Sequence, residues 1–263
     1  MNTWMWNGAG FEPCAGVPLT DRGFRYGMSV FESLRVTRGE AEFFEPHIAR
    51  LLSACAERGL AEDEAALRAV APLFLREGVN GFARIYVTAG DGTPSAPATA
   101  PRVFLFIEDR TPPDPDDPWE LTLHDEAHRP PFGGIKTANY WFNVEAFAQA
   151  HRRGFDEALF FNDFGELVSA AMANVFLVHD DRLSTPARSC GCRAGVIREW
   201  VIGRRKVEER RIRREDVLAA DEIFLTNSWI GVMPAGTLEG RPLARRHVGP
   251  KLAAELDARR SER

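Results

Sequence analysis

Lys136 and Tyr140 stand four residues apart in the segment GIKTANY, Gly134–Tyr140. A lysine amine condenses with a carbonyl carbon when it has a rigid mount and a polar partner, and a tyrosine hydroxyl can supply the accompanying hydrogen bond. A lone lysine is far more often simply exposed, so the pair carries little by itself. Three other segments offer groups suited to an anion. Arg50 lies in PHIARLLSACAERG beside Leu51 and Leu52, which are expected to face the core. It is either a surface arginine whose stem covers apolar neighbours or a two-pronged clamp for a phosphate. In TPARSCGCRAGVIREWVIG, Thr185–Gly203, a loop ending in Ala194-Gly195 opens directly into an apolar-periodic helix. The backbone N–H groups of Val196 and Ile197 would form an anion site at that helix start; the alternative is an ordinary glycine-initiated helix. In FLTNSWIGVMPAG, Phe224–Gly236, a strand runs into Thr226-Asn227-Ser228. Small hydroxyls there can hold a phosphate, or the segment is a plain turn.

These residues need a scaffold, and the pattern along the chain describes one. The stretch GMSVFESLRVT, Gly27–Thr37, is rich in strand formers. Phe43 and Phe44 are expected to end the next strand, with Pro46 at the first position of a helix. Ile48, Leu51, Leu52 and Cys55 then recur at helical spacing until Gly59. A second helical stretch is expected over roughly 62–77, from Glu62 to Glu77, with Pro72 kinking or splitting it. Strands are expected at Phe82–Thr88 and Val103–Ile107. The run DRTPPDPDDP, Asp109–Pro118, is a stiff, exposed connector. Beyond Trp119, strands alternate with helices, and Asn162-Asp163-Phe164-Gly165 reads as a hairpin turn. The expected organisation is a small N-terminal α/β domain over residues 1–117, connector included, and a larger C-terminal domain over 118–263.

Composition narrows the class. The chain has 263 residues, 44% of them hydrophobic, enough for a large core, and a formal net charge of −5. It lacks the basic stripe of a nucleic-acid binder, and the Arg-rich segment Arg198–Arg214 is interleaved with acids and expected to be solvated. No run approaches the roughly 18 apolar residues of a membrane span, and MNTWMWNGAGF lacks the basic start and apolar stretch of a signal peptide. Cys14, Cys55, Cys190 and Cys192 are expected as unpaired thiols in a reducing cytoplasm. The six histidines have no metal-ligand spacing.

Taken in order, the segments resemble the fold-type IV, or class IV, pyridoxal 5'-phosphate (PLP) family, which includes branched-chain aminotransferases, D-amino-acid aminotransferases and 4-amino-4-deoxychorismate lyases. DRGFRYGMSVFESLRV (Asp21–Val36) is similar to the family's opening motif, followed by HIARL, KTANY, GVIRE and LTNSWIGVMPA. The resemblance covers nearly the whole chain. It implies a two-domain α/β (α+β) fold with PLP in the interdomain cleft, and usually a homodimer. It implies that Lys136 is the Schiff-base and catalytic lysine, and that Tyr140 bonds the ring oxygen. Phosphate would be held by Arg50, the Val196 and Ile197 amides, the Ser228 hydroxyl and the Trp229 amide. The freed lysine would move protons as general base and acid.

One position departs from the family. Where members usually have a glutamate facing the ring nitrogen, in E-G-x-x-x-N-[IVL]-F, this chain reads Ser169-Ala-Ala-Met-Ala-Asn174-Val-Phe176. A carboxylate keeps the pyridine nitrogen protonated, whereas a serine hydroxyl offers only a neutral hydrogen bond. Three explanations compete: a lyase that needs less electron withdrawal, a substitute acid such as Glu166, or a divergent aminotransferase. Strand alternation disfavours Glu166, three residues away. Arg84 stands where branched-chain enzymes keep an arginine near the substrate carboxylate, and Tyr26 and Phe31 match aromatic pocket positions; a solvent-facing arginine and core aromatics are the alternatives. The expected function is a PLP-dependent aminotransferase for a small amino acid/keto acid pair. The alternatives are aminodeoxychorismate lyase and a PLP-binding protein with little catalysis.

Overall fold

The computed structural model describes every residue except Met1, Glu62, Glu262 and Arg263, and gives only the backbone at Pro131, Gly133 and Ser261. The chain divides into two compact units, Met1–Pro112 with Ile135–Asn139, and Pro113–Gly134 with Tyr140–Arg263.

The first unit is built on an antiparallel sheet of β1 (Asn2–Trp6), β2 (Phe11–Pro13), β3 (Ser29–Thr37), β4 (Glu40–Ala41), β5 (Gly81–Thr88) and β6 (Arg102–Glu108). Its strand order is β2-β1-β6-β5-β3-β4. Because side chains alternate along a strand, β3 turns Val30, Leu34 and Val36 to one face, opposite Ala83 and Ile85 of β5. After the short helix α1 (Arg22–Tyr26), three helices follow in this unit: α2 (Phe44–Glu57), α3 (Glu64–Arg68) and α4 (Val70–Arg76). Ile48, Leu51 and Cys55 of α2 join the same core, each large side chain contributing roughly 1.5–3 kcal/mol by burial. The other face carries Phe31, Tyr86 and Phe106, whose rings pack in sequence.

Two helix boundaries differ from expectation. Helix α2 begins at Phe44, after Phe43 in a left-handed conformation (φ 51°), so Pro46 is its third residue. A proline is tolerated there because first-turn amides need no intrahelical partner. The second helical stretch is split at Ala69, and Pro72 falls within the first turn of α4. Its expected start at Glu62 lies outside the described residues; the helix observed begins at Glu64, where the Asp63 side chain accepts from Ala66 N at 2.9 Å.

The second unit holds a nine-stranded mixed sheet of β7 (Trp119–Leu123), β8 (Glu157–Phe161), β9 (Leu167–Ala170), β10 (Asn174–His179), β11 (Arg182–Pro186), β12 (Val207–Arg210), β13 (Glu222–Asn227), β14 (Gly231–Leu238) and β15 (Arg241–Pro242). The order is β12-β11-β10-β13-β14-β7-β8-β9, with β15 on β14. Helices α5 (Trp141–Arg152), α6 (Val196–Ile202), α7 (Arg214–Leu218) and α8 (Val248–Ser261) complete it. The expected hairpin joins β8 to β9; Asn162 Oδ1 accepts from Phe164 N at 2.9 Å and Glu166 N at 3.0 Å. Within the Arg-rich segment, Arg198 is not solvated but fully buried. Its guanidinium bonds Glu199 at 2.7 Å and Glu209 at 2.6 Å, and two acids compensate the charge taken from water. Among the described residues no helix is long and apolar enough to cross a membrane.

Candidate functional site

In the first unit, the segment carrying Lys136 is added to the edge of β3. Phe31 N donates to Lys136 O at 2.9 Å and Ala138 N donates to Ser29 O at 3.0 Å. Two backbone bonds to a buried strand fix the lysine's mount. Lys136 is half-buried, and its Nζ lies 4.2 Å from the centre of the Phe31 ring. Phe31 stacks on Tyr86 at 5.1 Å, and the exposed Arg84 reaches over Phe82 and Phe31 at 4.9 and 5.7 Å. Lys136, Phe31 and Arg84 therefore share the aromatic face of the sheet. Tyr26 ends α1 and is exposed. The next residue, Gly27, has φ 66°, and a Cβ there would lie 2.3 Å from Asn139 Oδ1, so only glycine lets the Lys136 segment come this close.

Arg50 is gripped by an acid that the sequence reading missed. Its Nε and Nη2 donate to Glu32 Oε1 and Oε2 at 2.6 and 2.7 Å, and His47 Nδ1 lies 2.8 Å from Glu32 Oε2. Glu32 and His47 are buried, with Glu32 on the core-side register of β3. Burial works to raise the Glu32 pKa, but Arg50 and His47 outweigh it and hold the carboxyl well below the usual carboxylate range. The signal was an acid among the apolar core positions of β3, with His47 and Arg50 one helical turn apart.

In the second unit, Tyr140 precedes α5, and its hydroxyl accepts from Arg193 Nη1 at 2.7 Å. Arg193 Cζ lies 4.9 Å from the Tyr140 ring centre. Asn174, opening β10, donates through Nδ2 to Arg193 O at 2.9 Å. Gly195 caps α6 so close to Asn174 that a Cβ would fall 2.0 Å from its Oδ1. Val196 and Ile197 follow as buried first-turn residues. After β13, Asn227 Oδ1 accepts from Trp229 N and Ile230 N at 2.8 Å each, so the Trp229 amide is already engaged within its own turn. Ser228 beside it is half-buried, and Thr226, opposite Asn174 in the register, keeps a buried hydroxyl without a partner.

Ser169 lies half-buried in β9, paired with Phe160. Glu166 does not stand in for an acid there. Its carboxylate takes Asn162 Nδ2 at 3.1 Å and Arg211 Nη1 at 3.4 Å, which hold its pKa below the ordinary value. A second buried acid, Glu157, accepts from Ala158 N, Ala171 N and Met172 N at 2.9, 3.1 and 2.9 Å. Among the described residues no group of three or more His, Cys, Asp or Glu is placed to hold a metal.

Known proteins share both the sequence and the fold. The profile of the family described as amino-transferase class IV matches residues 29–237. The chain is 28% identical over 253 residues to a Methanocaldococcus jannaschii protein named "Putative branched-chain-amino-acid aminotransferase", covering 90% of this chain and 88% of that one. It is 26% identical over 238 residues to the aminodeoxychorismate lyase of Vibrio harveyi, covering 84% and 87%. The crystal structure of 4-amino-4-deoxychorismate lyase from Pseudomonas aeruginosa superposes with a TM-score of 0.87 at 28% identity, over 97% of this chain and 98% of that one. With a profile match across most of its length, the protein belongs to the class IV aminotransferases, a family of PLP-dependent enzymes.

Proposed function

We propose that this protein is a PLP-dependent aminotransferase acting on a small amino acid/keto acid pair, with Lys136 as the residue that carries the cofactor. The observation that supports this most is the mount of Lys136: an amine on an aromatic face, held by two backbone bonds to β3. The second unit suits the phosphate-bearing group. The close approach at Gly195 leads directly into the first amides of α6, and Thr226 offers a buried hydroxyl without a partner. When bound, PLP supplies a carbonyl that condenses with amines and a ring that withdraws electrons. Lys136 Nζ would be the amine that holds the cofactor and the group that takes and returns the substrate's proton. Tyr140 would donate to the ring oxygen. Arg50, preset by Glu32, the Val196 and Ile197 amides and Ser228 would hold phosphate; Trp229 would contribute its amide only by sharing it with Asn227. Arg84, Phe31 and Tyr26 recognise the substrate.

A second reading is aminodeoxychorismate lyase. It is favoured by Ser169, whose neutral hydroxyl suits elimination better than transamination, and by the likeness to the Pseudomonas aeruginosa lyase. We further assign a homodimer in the cytoplasm. Turnover of amino acids that depends on an added keto acid identifies the aminotransferase, and pyruvate release from aminodeoxychorismate without an acceptor identifies the lyase. A cofactor band with neither activity leaves a PLP-binding protein. Lys136→Ala is expected to abolish the visible absorption band of the bound cofactor; survival of the band removes Lys136 from its role.

A further inference from the structure

Arg193 is a half-buried guanidinium whose one hydrogen bond among the described residues goes to Tyr140, and no carboxylate pairs with it there. Its position is built rather than incidental. Asn174 donates to its carbonyl at 2.9 Å, and its guanidinium carbon stands 4.9 Å from the centre of the Tyr140 ring. The stem runs beside Gly134, where an added Cβ would stand 3.5 Å from Arg193 Cγ. The titratable groups around it in the same unit are Tyr140 and the buried His128, with His124 next to that; Cys192, one residue back, turns its thiol to Pro186 O. The His128 pKa is lowered to about 4 by burial, then by Arg193 and His124, and burial raises Cys192 to about 11; both stay neutral near pH 7. The cationic head therefore stands beside neutral groups, with its printed hydrogen bond going to a phenol rather than to an anion.

Arginine can only donate, so Arg193 Nη1–H must point at a lone pair of Tyr140 Oη, and the Tyr140 proton is turned towards another acceptor. A cation at the phenol strengthens that donation. We propose that Arg193 and Tyr140 act as one hydrogen-bonded unit that places positive charge beside the ring oxygen of bound PLP, in a chain whose Ser169 provides no acid for the ring nitrogen. This rests on the cofactor reading above. Arg193 is a positioning residue: it aims the Tyr140 proton and supplies electron withdrawal from the oxygen side of the ring.

The test is a pH titration of the visible band of the PLP-loaded protein. Positive charge nearby disfavours protonation of the lysine nitrogen that carries the cofactor, so removing it raises the midpoint. Arg193→Leu is expected to raise the midpoint by about one pH unit, whereas Arg193→Lys retains most of the wild-type value. In a Tyr140→Phe background, Arg193→Leu is expected to shift the midpoint much less, because the path through the hydroxyl is already cut. An unchanged midpoint in Arg193→Leu, or an equal shift in both backgrounds, overturns the proposal; thermal unfolding of each variant verifies that it is folded. A band that is present in the wild type and removed by Lys136→Ala, yet unmoved by Arg193→Leu, sinks this inference alone. No such band at all sinks the cofactor reading with it.

Discussion

A serine hydroxyl at residue 169 can share a hydrogen bond but cannot fix a charge. Its strand partner is Phe160, and Glu166 is committed to Asn162 and Arg211, so β9 brings no replacement acid to it. Ser169→Glu is therefore expected to speed the first half-reaction, the transfer of an amino group to bound cofactor, by about tenfold or more, since each unit of ring basicity is worth about 1.36 kcal/mol. Single-turnover spectra would measure it, and an unchanged rate would show that electron withdrawal at the ring nitrogen is not limiting. The same scale shows why Arg50 was legible only in part. Its place on a helix near the core could be read from sequence, but its two bonds to Glu32 could not, because an arginine and an acid 18 residues apart meet only through the packing of α2 on β3.

At the scale of elements, Glu157 of β8 ties down the turn between β9 and β10 through the amides of Ala171 and Met172. That turn separates Ser169 from Asn174, and Asn227 Nδ2 also grips it by donating to Met172 O at 3.0 Å. Burial pushes the Glu157 acid from 4.5 up to about 7, against three amide bonds that pull it down. The folded state thus binds the proton more tightly than the unfolded chain. The resulting stability is fully present below pH 4.5 and is lost as pH rises through about 7. Urea unfolding should show wild-type stability falling across this interval by on the order of 3 kcal/mol from this group. Glu157→Gln should remove its share of the slope; an identical pH dependence in the variant would refute the assignment. The longer strands were read well because β-branched and aromatic runs mark them, but Phe43 and Phe44 do not end a strand as expected: β4 stops at Ala41 and Phe44 already opens α2. Helix starts were read less well: Phe43 adopts a left-handed backbone that its residue type does not announce, so α2 starts two residues before the position Pro46 suggested.

For the whole molecule, the first unit exposes Leu19 at 75%, Phe24 at 63% and Tyr26 at 42% within eight residues, a concentration of apolar surface that a partner would cover. If the protein is the homodimer proposed, Phe24→Asp should shift sedimentation towards the monomer, and a variant that sediments like the wild type would take this patch out of the interface. By itself the sequence determined the family and the fold class, and it singled out the candidate segments. Those are contiguous motifs: KTANY, HIARL and GVIRE carry their identity in residues a few positions apart, where local backbone preference suffices. Only the tertiary structure decided which side chains meet. Lys136 gained its mount from β3, more than a hundred residues earlier, Glu32 gripped Arg50 across the sheet–helix packing, and Arg193 reached Tyr140 across 53 residues. Such partnerships depend on packing between elements distant in the chain, and no local spacing encodes them.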